Sequence, residues 1–173
     1  MNEFLEPENA ELRKALNLSA TGQVVRALEL IEASLMWRPQ SAPAYRAKAM
    51  VLSVADRYQE AVEAMRTAVV HSNSRDPAYF VELGEYLIEI AQFEDAYAAL
   101  TDAIELIRAT GELPYLQTAL LARAVAAIKG GVGDLIRDDL KFLDQEARLY
   151  CAGDLWSKQK VLKVLAKPGK HRS

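Results

Sequence analysis

At 173 residues, with 51% hydrophobic and 26% charged positions, the chain has the make-up of a globular domain, which excludes wholesale disorder. A chain of this length buries roughly 70% of its unfolded surface in a single domain. The formal charge of -3 is no footprint of a nucleic-acid binder, but it is uneven: 15 Lys or Arg stand against 24 Asp or Glu in residues 1–154, and from Leu155 onward there are six basic residues and no acid.

The first residues, Met1 to Glu8, are acidic and lack an apolar run, so they read as no secretory signal. Alanine and leucine then recur at helical spacing, which predicts helices over 8–20 and 23–37 with Gly22 as the turn between them. Ser41 before Ala42-Pro43 reads as a cap for a helix over 42–55, followed by one over 58–72. Asp76-Pro77 reads as a cap with proline at the first helical position of a helix over 77–91, followed by 94–109. An alanine-rich helix is expected over 113–129, and Gly130-Gly131-Val132-Gly133 as a flexible break. Asp134 would cap a helix over 134–150, with Leu135, Ile136, Leu140, Leu143, Ala147 and Leu149 as its apolar positions. Asp154 would cap a last helix over 154–166, stopped by Pro168-Gly169. Residues 167–173 read as a basic, frayed tail, with docking onto an acidic neighbour or onto nucleic acid or an anionic membrane as lesser readings.

Self-similarity organises these helices. Gly22-Gln23-Val24-Val25-Arg26-Ala27, Asp56-Arg57-Tyr58-Gln59-Glu60-Ala61 and Ala91-Gln92-Phe93-Glu94-Asp95-Ala96 each set a small or turn-forming residue five before an alanine. The alanines lie 34 and then 35 residues apart. Four after each comes Ile31, Met65 or Leu100, and seven after comes Ser34, Ala68 or Ala103. Nine before stands Leu18, Leu52 or Leu87, and three before that leucine Ala15, Ala49 or Gly84.

With these offsets the chain resembles the tetratricopeptide repeat family. The third copy carries Phe80, Leu83-Gly84, Leu87, Ala96 and Leu100, and the second Tyr45, Lys48-Ala49, Leu52, Ala61 and Met65. The first has Glu11 and Lys14-Ala15 and closes on Pro39, where the other copies have Asn73 and Arg108. The resemblance spans about residues 8–109. It implies an all-α fold, a right-handed solenoid of antiparallel helix pairs in one domain over 1–166. Its repeats would be 8–39, 42–73 and 77–109, with a divergent pair over 113–150 in which the family alanine has no evident place. A capping helix over 154–166 completes the expectation. Small residues in such repeats mark where helix axes approach closely, and one pair cannot bury its apolar face alone.

The resemblance also implies where binding falls. The first helix of each pair lines an inner groove, and the matching positions are Leu12, Leu16 and Ser19, then Arg46, Met50 and Ser53, then Val81, Glu85 and Ile88. Offsets of four and three put each trio on one helix stripe. Relatives that clamp an acidic C-terminus use Lys and Asn here; this chain offers Arg46 and an opposing Glu85, so that use is disfavoured. The apolar remainder suits an extended apolar segment or an amphipathic helix of a partner protein. An open groove, a groove covered by the chain's own helix from Leu155 to Ala166, and burial between identical copies all stay open.

Chemistry has little to work with. His71 and His171 lack companions at metal-ligand spacing, there is no phosphate loop or nucleophile elbow, and Gly130–Gly133 follows a helix where a phosphate cradle would follow a strand. Cys151, the single cysteine, reads as packed beneath the last helix in a reducing, cytoplasmic setting, and Glu94-Asp95 and Asp138-Asp139 as solvated faces. The expectation is a non-catalytic adaptor or chaperone with no cofactor, metal, small-molecule substrate or membrane span. Small acidic relatives of similar size act as chaperones of bacterial secretion substrates. The alternative is an assembly subunit that oligomerises through its repeat faces.

Overall fold

The structure, a computed structural model, describes residues 7–72, 76–111, 113–136 and 138–166. The expected stop at Pro168-Gly169, the basic tail, Asn73 and the Asp134 side chain lie outside what it describes. The chain forms two compact units, residues 1–75 and 76–173.

The first unit holds α1 (Pro7–Ala20), α2 (Val24–Trp37), α3 (Ala42–Val54) and α4 (Tyr58–His71). Helix α1 packs on α2 and α3 on α4, and α3 also rests on both helices of the first pair. Leu12, Ala15, Ala27, Ile31, Leu35, Ala44, Ala47 and Val51 form one buried cluster between them. Alanines at the crossings let the axes close up, and the Ile, Leu and Met side chains fill the spaces beside them. The caps are those expected: Ser41 Oγ accepts from the Ala44 N–H at 3.2 Å. Lys48 on α3 reaches Glu32 on α2 at 2.5 Å.

The second unit holds α5 (Pro77–Glu89), α6 (Phe93–Thr110), a 3₁₀ turn at Leu113–Tyr115, α7 (Leu116–Lys129), a second 3₁₀ turn at Gly133–Ile136 and α8 (Asp139–Phe142). Strands β1 (Arg148–Cys151) and β2 (Asp154–Ser157) and helix α9 (Lys158–Leu165) follow. Asp76 Oδ1 caps α5 by accepting the Ala78 N–H at 2.8 Å. Helix α7 is central. Every residue from Ala119 to Ile128 is buried, because α5, α6, α9 and both strands pack around it.

One backbone device marks each repeat. Gly22, Asp56, Ala91 and Gly131 all take left-handed φ, at 80°, 56°, 58° and 77°. The residue after each donates its N–H back to the helix it leaves: Gln23 to Leu18, Arg57 to Leu52, Gln92 to Leu87 and Val132 to Ala127, at 2.8–3.0 Å. This closure satisfies carbonyls that a helix end leaves bare. By the same count, five residues past Gly131 stands Ile136, fully buried where the three earlier copies have alanine.

Beyond that point the expectations need correction. The helix expected over 134–150 does not form. Arg123 on α7 pins Asp139, while Gln117 ends α8 from the same helix: its Oε1 accepts the Asp144 N–H at 2.7 Å and its Nε2 donates to the Phe142 carbonyl at 3.1 Å. Asp139 is therefore buried and ion-paired, not a solvated carboxylate as its sequence position suggests. Arg148–Cys151 and Asp154–Ser157 pair antiparallel, with Leu149 opposite Trp156 and Tyr150 opposite Leu155. The last helix starts at Lys158 and not at 154, and Ser157 caps it in place of Asp154, its Oγ accepting from the Lys160 N–H at 3.3 Å. Cys151 is buried at the end of β1, a strand that packs on α5 and α7. The Gly130–Gly133 break is an ordered turn in which Gly133 admits Leu165 of α9: a Cβ there would come within 2.8 Å of Leu165 Cδ2.

Candidate protein-binding face

In the first unit the contact of α1 with α3 sets two first helices side by side. Of the residues expected to face a ligand there, Leu12 is a core residue and Leu16 is half-buried against the core. Ser19 is also buried, and its Oγ has no partner among the described residues. Arg46, Met50 and Ser53 are half-buried, and Ser53 Oγ turns back to the Met50 carbonyl at 2.9 Å. Leu16 on α1 and Arg46, Met50 and Ser53 on α3 are thus the expected positions of this unit that keep accessible surface.

In the second unit Val81 and Ile88 are 3% and 1% exposed, so neither offers surface in this conformation. Helix α5 packs on α6, α7, β1 and the turn at Leu113–Tyr115. Glu85, between them on the same stripe, is half-buried. Burial pushes its carboxyl up to about 7, with help from Glu82 and Glu89 on the same helix. Of the expected positions, Leu16, Arg46, Met50, Ser53 and Glu85 are half-buried, whereas Leu12, Ser19, Val81 and Ile88 are buried.

Sequence reasoning missed the hairpin at 148–157 and the acceptor Glu89 that meets it. The signal was present but short: Leu149-Tyr150-Cys151 and Leu155-Trp156 flank Ala152-Gly153, a two-residue turn of the hairpin kind. Ala152 and Gly153 both take left-handed φ, at 49° and 72°.

Among the described residues no three His, Cys, Asp or Glu side chains gather as a metal-holding group. No described helix is long and apolar enough to cross a membrane. No family model matches the sequence, and no curated protein matches it. Solved structures do. The chain is similar to PilF of Pseudomonas aeruginosa, with TM-score 0.67 and 21% identity over 78% of this chain, and it spans 59% of that one. A kinesin light chain protein of Podosopora anserina with TPR-like repeats matches with TM-score 0.68 and 18% identity, over 82% of this chain and 75% of that one. MamA from MSR-1 matches with TM-score 0.62 and 18% identity, over 82% and 78%. These likenesses establish the fold as all-α, a helical repeat of the tetratricopeptide type.

Proposed function

We propose that the chain is a cytoplasmic, non-catalytic binding module, an adaptor or chaperone that holds an apolar extended or amphipathic helical segment of another protein against the first helices of its repeats. The observation that carries this reading is the partial exposure of Leu16 on α1 and of Arg46, Met50 and Ser53 on α3, two helices in contact, which we read as one stripe. It is partly accessible, mixed in polarity and set on two helices whose backbones are fixed by the core beneath. Rigid elements presenting a few adaptable side chains favour recognition of a segment over chemistry on a small molecule. Methionine at its centre adjusts to different apolar partners.

The test is affinity capture from the source organism's lysate with wild type, Met50→Glu and Met50→Leu. A partner held by wild type and Met50→Leu but lost from Met50→Glu supports the stripe. Equal retention by all three removes it. Val81 is unsuitable for such a test, because a charge placed at a 3% exposed position disturbs the fold itself.

A specific observation favours assembly as the second reading. Met36 and Trp37 end α2 at 84% and 88% exposure, with Val70 at 77% on α4. Tryptophan so exposed is unusual outside an interface. Light scattering across a concentration series separates the two readings, since an assembly subunit gains mass with concentration and a monomeric adaptor does not.

A further inference from the structure

A strand hairpin is no part of a helix-pair repeat, yet β1 lies against both α5 and α7, and β2 lies against α7 and α9. Helix α5 is the first helix of the third repeat and carries Val81, Glu85 and Ile88, the positions expected to face a ligand there. Glu89, one turn on from Glu85, accepts the Ala152 N–H on Oε1 at 2.6 Å. Glu85 and Glu89 both act electrostatically on the Cys151 thiol, so the hairpin runs beside that stripe of α5.

Its hold is that of a core. Inward, Cys151 and Trp156 are 2% and 5% exposed, and Leu143 before the hairpin and Val161 after it are as deeply buried. They close over α7, which has no exposed residue from Ala119 to Ile128. A buried indole alone removes a large apolar area from water. Polar ties add to it: Lys158 Nζ donates to the Leu143 carbonyl at 2.7 Å, and Asp139 is paired with Arg123 of α7. Leu165 of α9 fills the space that a Cβ on Gly133 would take. Outward, Tyr150 and Leu155 are left in solvent, so this side of the second unit shows the hairpin's outer face and not the stripe of α5. A segment with so many buried contacts opens only when the structure beneath it opens.

We propose that residues 139–166 are a resident occupant of the second unit's inner face, filling in cis the place that a partner's segment would take, so that binding of a segment is confined to the first unit. The proposal rests on the binding reading above and deepens it by naming the repeats that take the partner, those built from α1 to α4.

Hydrogen exchange on the full chain, in urea below the unfolding transition, tests residency. The slowest amides of β1 and β2 are expected to exchange within about threefold of the slowest amides of α7, with the same dependence on urea. Hairpin amides that exchange faster than that overturn residency. Trp156, left as the one indole by Trp37→Phe, is expected to resist acrylamide until the protein unfolds, and ready quenching in the native protein overturns residency as well. Confinement is read in the capture test. Glu89→Ala, which removes the hairpin's tie to α5, is expected to hold no more of the captured partner than wild type does, and a gain in capture overturns confinement. The exchange and quenching readouts use the protein alone, so their failure leaves the Met50 test standing. Equal capture by the Met50 variants would in turn reject the binding stripe without altering the exchange result.

Discussion

Arg123 and Asp139 meet through two parallel contacts, Nε to Oδ2 at 2.9 Å and Nη2 to Oδ1 at 2.5 Å, with both residues below a tenth exposed. The guanidinium also donates to Thr101 Oγ1 at 3.1 Å and lies 5.7 Å from the Tyr97 ring centroid. Helices α6, α7 and α8 are thereby joined at one charged group. Removing one member of such a pair strands the other in the interior, which costs about 3–5 kcal/mol. Asp139→Ala is therefore expected to lower unfolding free energy by about that amount in urea titrations. A loss below ~1 kcal/mol would show the pair to be solvated.

The Gly84–Leu100 contact gives a second prediction. A Cβ on Gly84 would run into the Leu100 side chain, which is fully buried and has nowhere to go. Gly84→Ala adds helix propensity worth about 1 kcal/mol, yet overpacking costs about 1–3 kcal/mol. The variant is expected to be net destabilised, read as a lower thermal midpoint.

The repeat turn predicts the opposite sign. Ala91 holds φ at 58°, where Gly22 and Gly131 occupy the same place in their repeats. Relief of the left-handed penalty of roughly 1–2 kcal/mol outweighs the entropy that glycine adds to the unfolded chain, about 0.5–1 kcal/mol. Ala91→Gly is expected to stabilise the protein by about 0.5–1 kcal/mol, measured by the same urea titrations.

Glu85 makes stability depend on pH. Its carboxyl is raised to about 7 in the folded chain from an ordinary 4.5. The folded state thus holds the proton longer, and stability falls as pH rises from 4.5 towards 7, then levels off. After allowance for its partial exposure the loss is about 2 kcal/mol between pH 5 and 8. Glu85→Gln is expected to flatten that slope; an unchanged slope in the variant would mean other groups cause it.

Cys151 is expected to resist thiol reagents in the native protein. Burial, then Glu89 and Glu85, push its thiol up to about 12, with Lys129 opposing. At pH 8 almost no thiolate is present, so Ellman's reagent should find no reactive thiol until urea exposes it. Rapid stoichiometric reaction of the native protein would contradict this burial.

The repeats were legible because local rules and packing agree there. Alanines at fixed offsets, Ser41 and Asp76 as caps and Gly22 as a turn each work within a few residues, and the first six helices end within about two residues of where pattern reading puts them. The candidate stripe was legible as a set of positions, but its exposure was not. Leu16 and Leu12 have the same side chain and the same periodicity, and only the packing of neighbouring helices separates a half-buried leucine from a core one.

The sequence by itself determined the helix pairs up to Thr110, their repeat period and the apolar stripe along each first helix. Periodicity and capping act through contacts near in the chain, so they are written in the order of residues. What followed α7 was decided by tertiary structure. Gln117 ends α8 at the Asp144 amide, 27 residues on, and Arg123 buries Asp139, 16 residues on. Glu89 holds the Ala152 turn 63 residues away. Buried polar groups must be satisfied wherever the fold brings them together, and that demand outweighs the helical preference of residues 134–150.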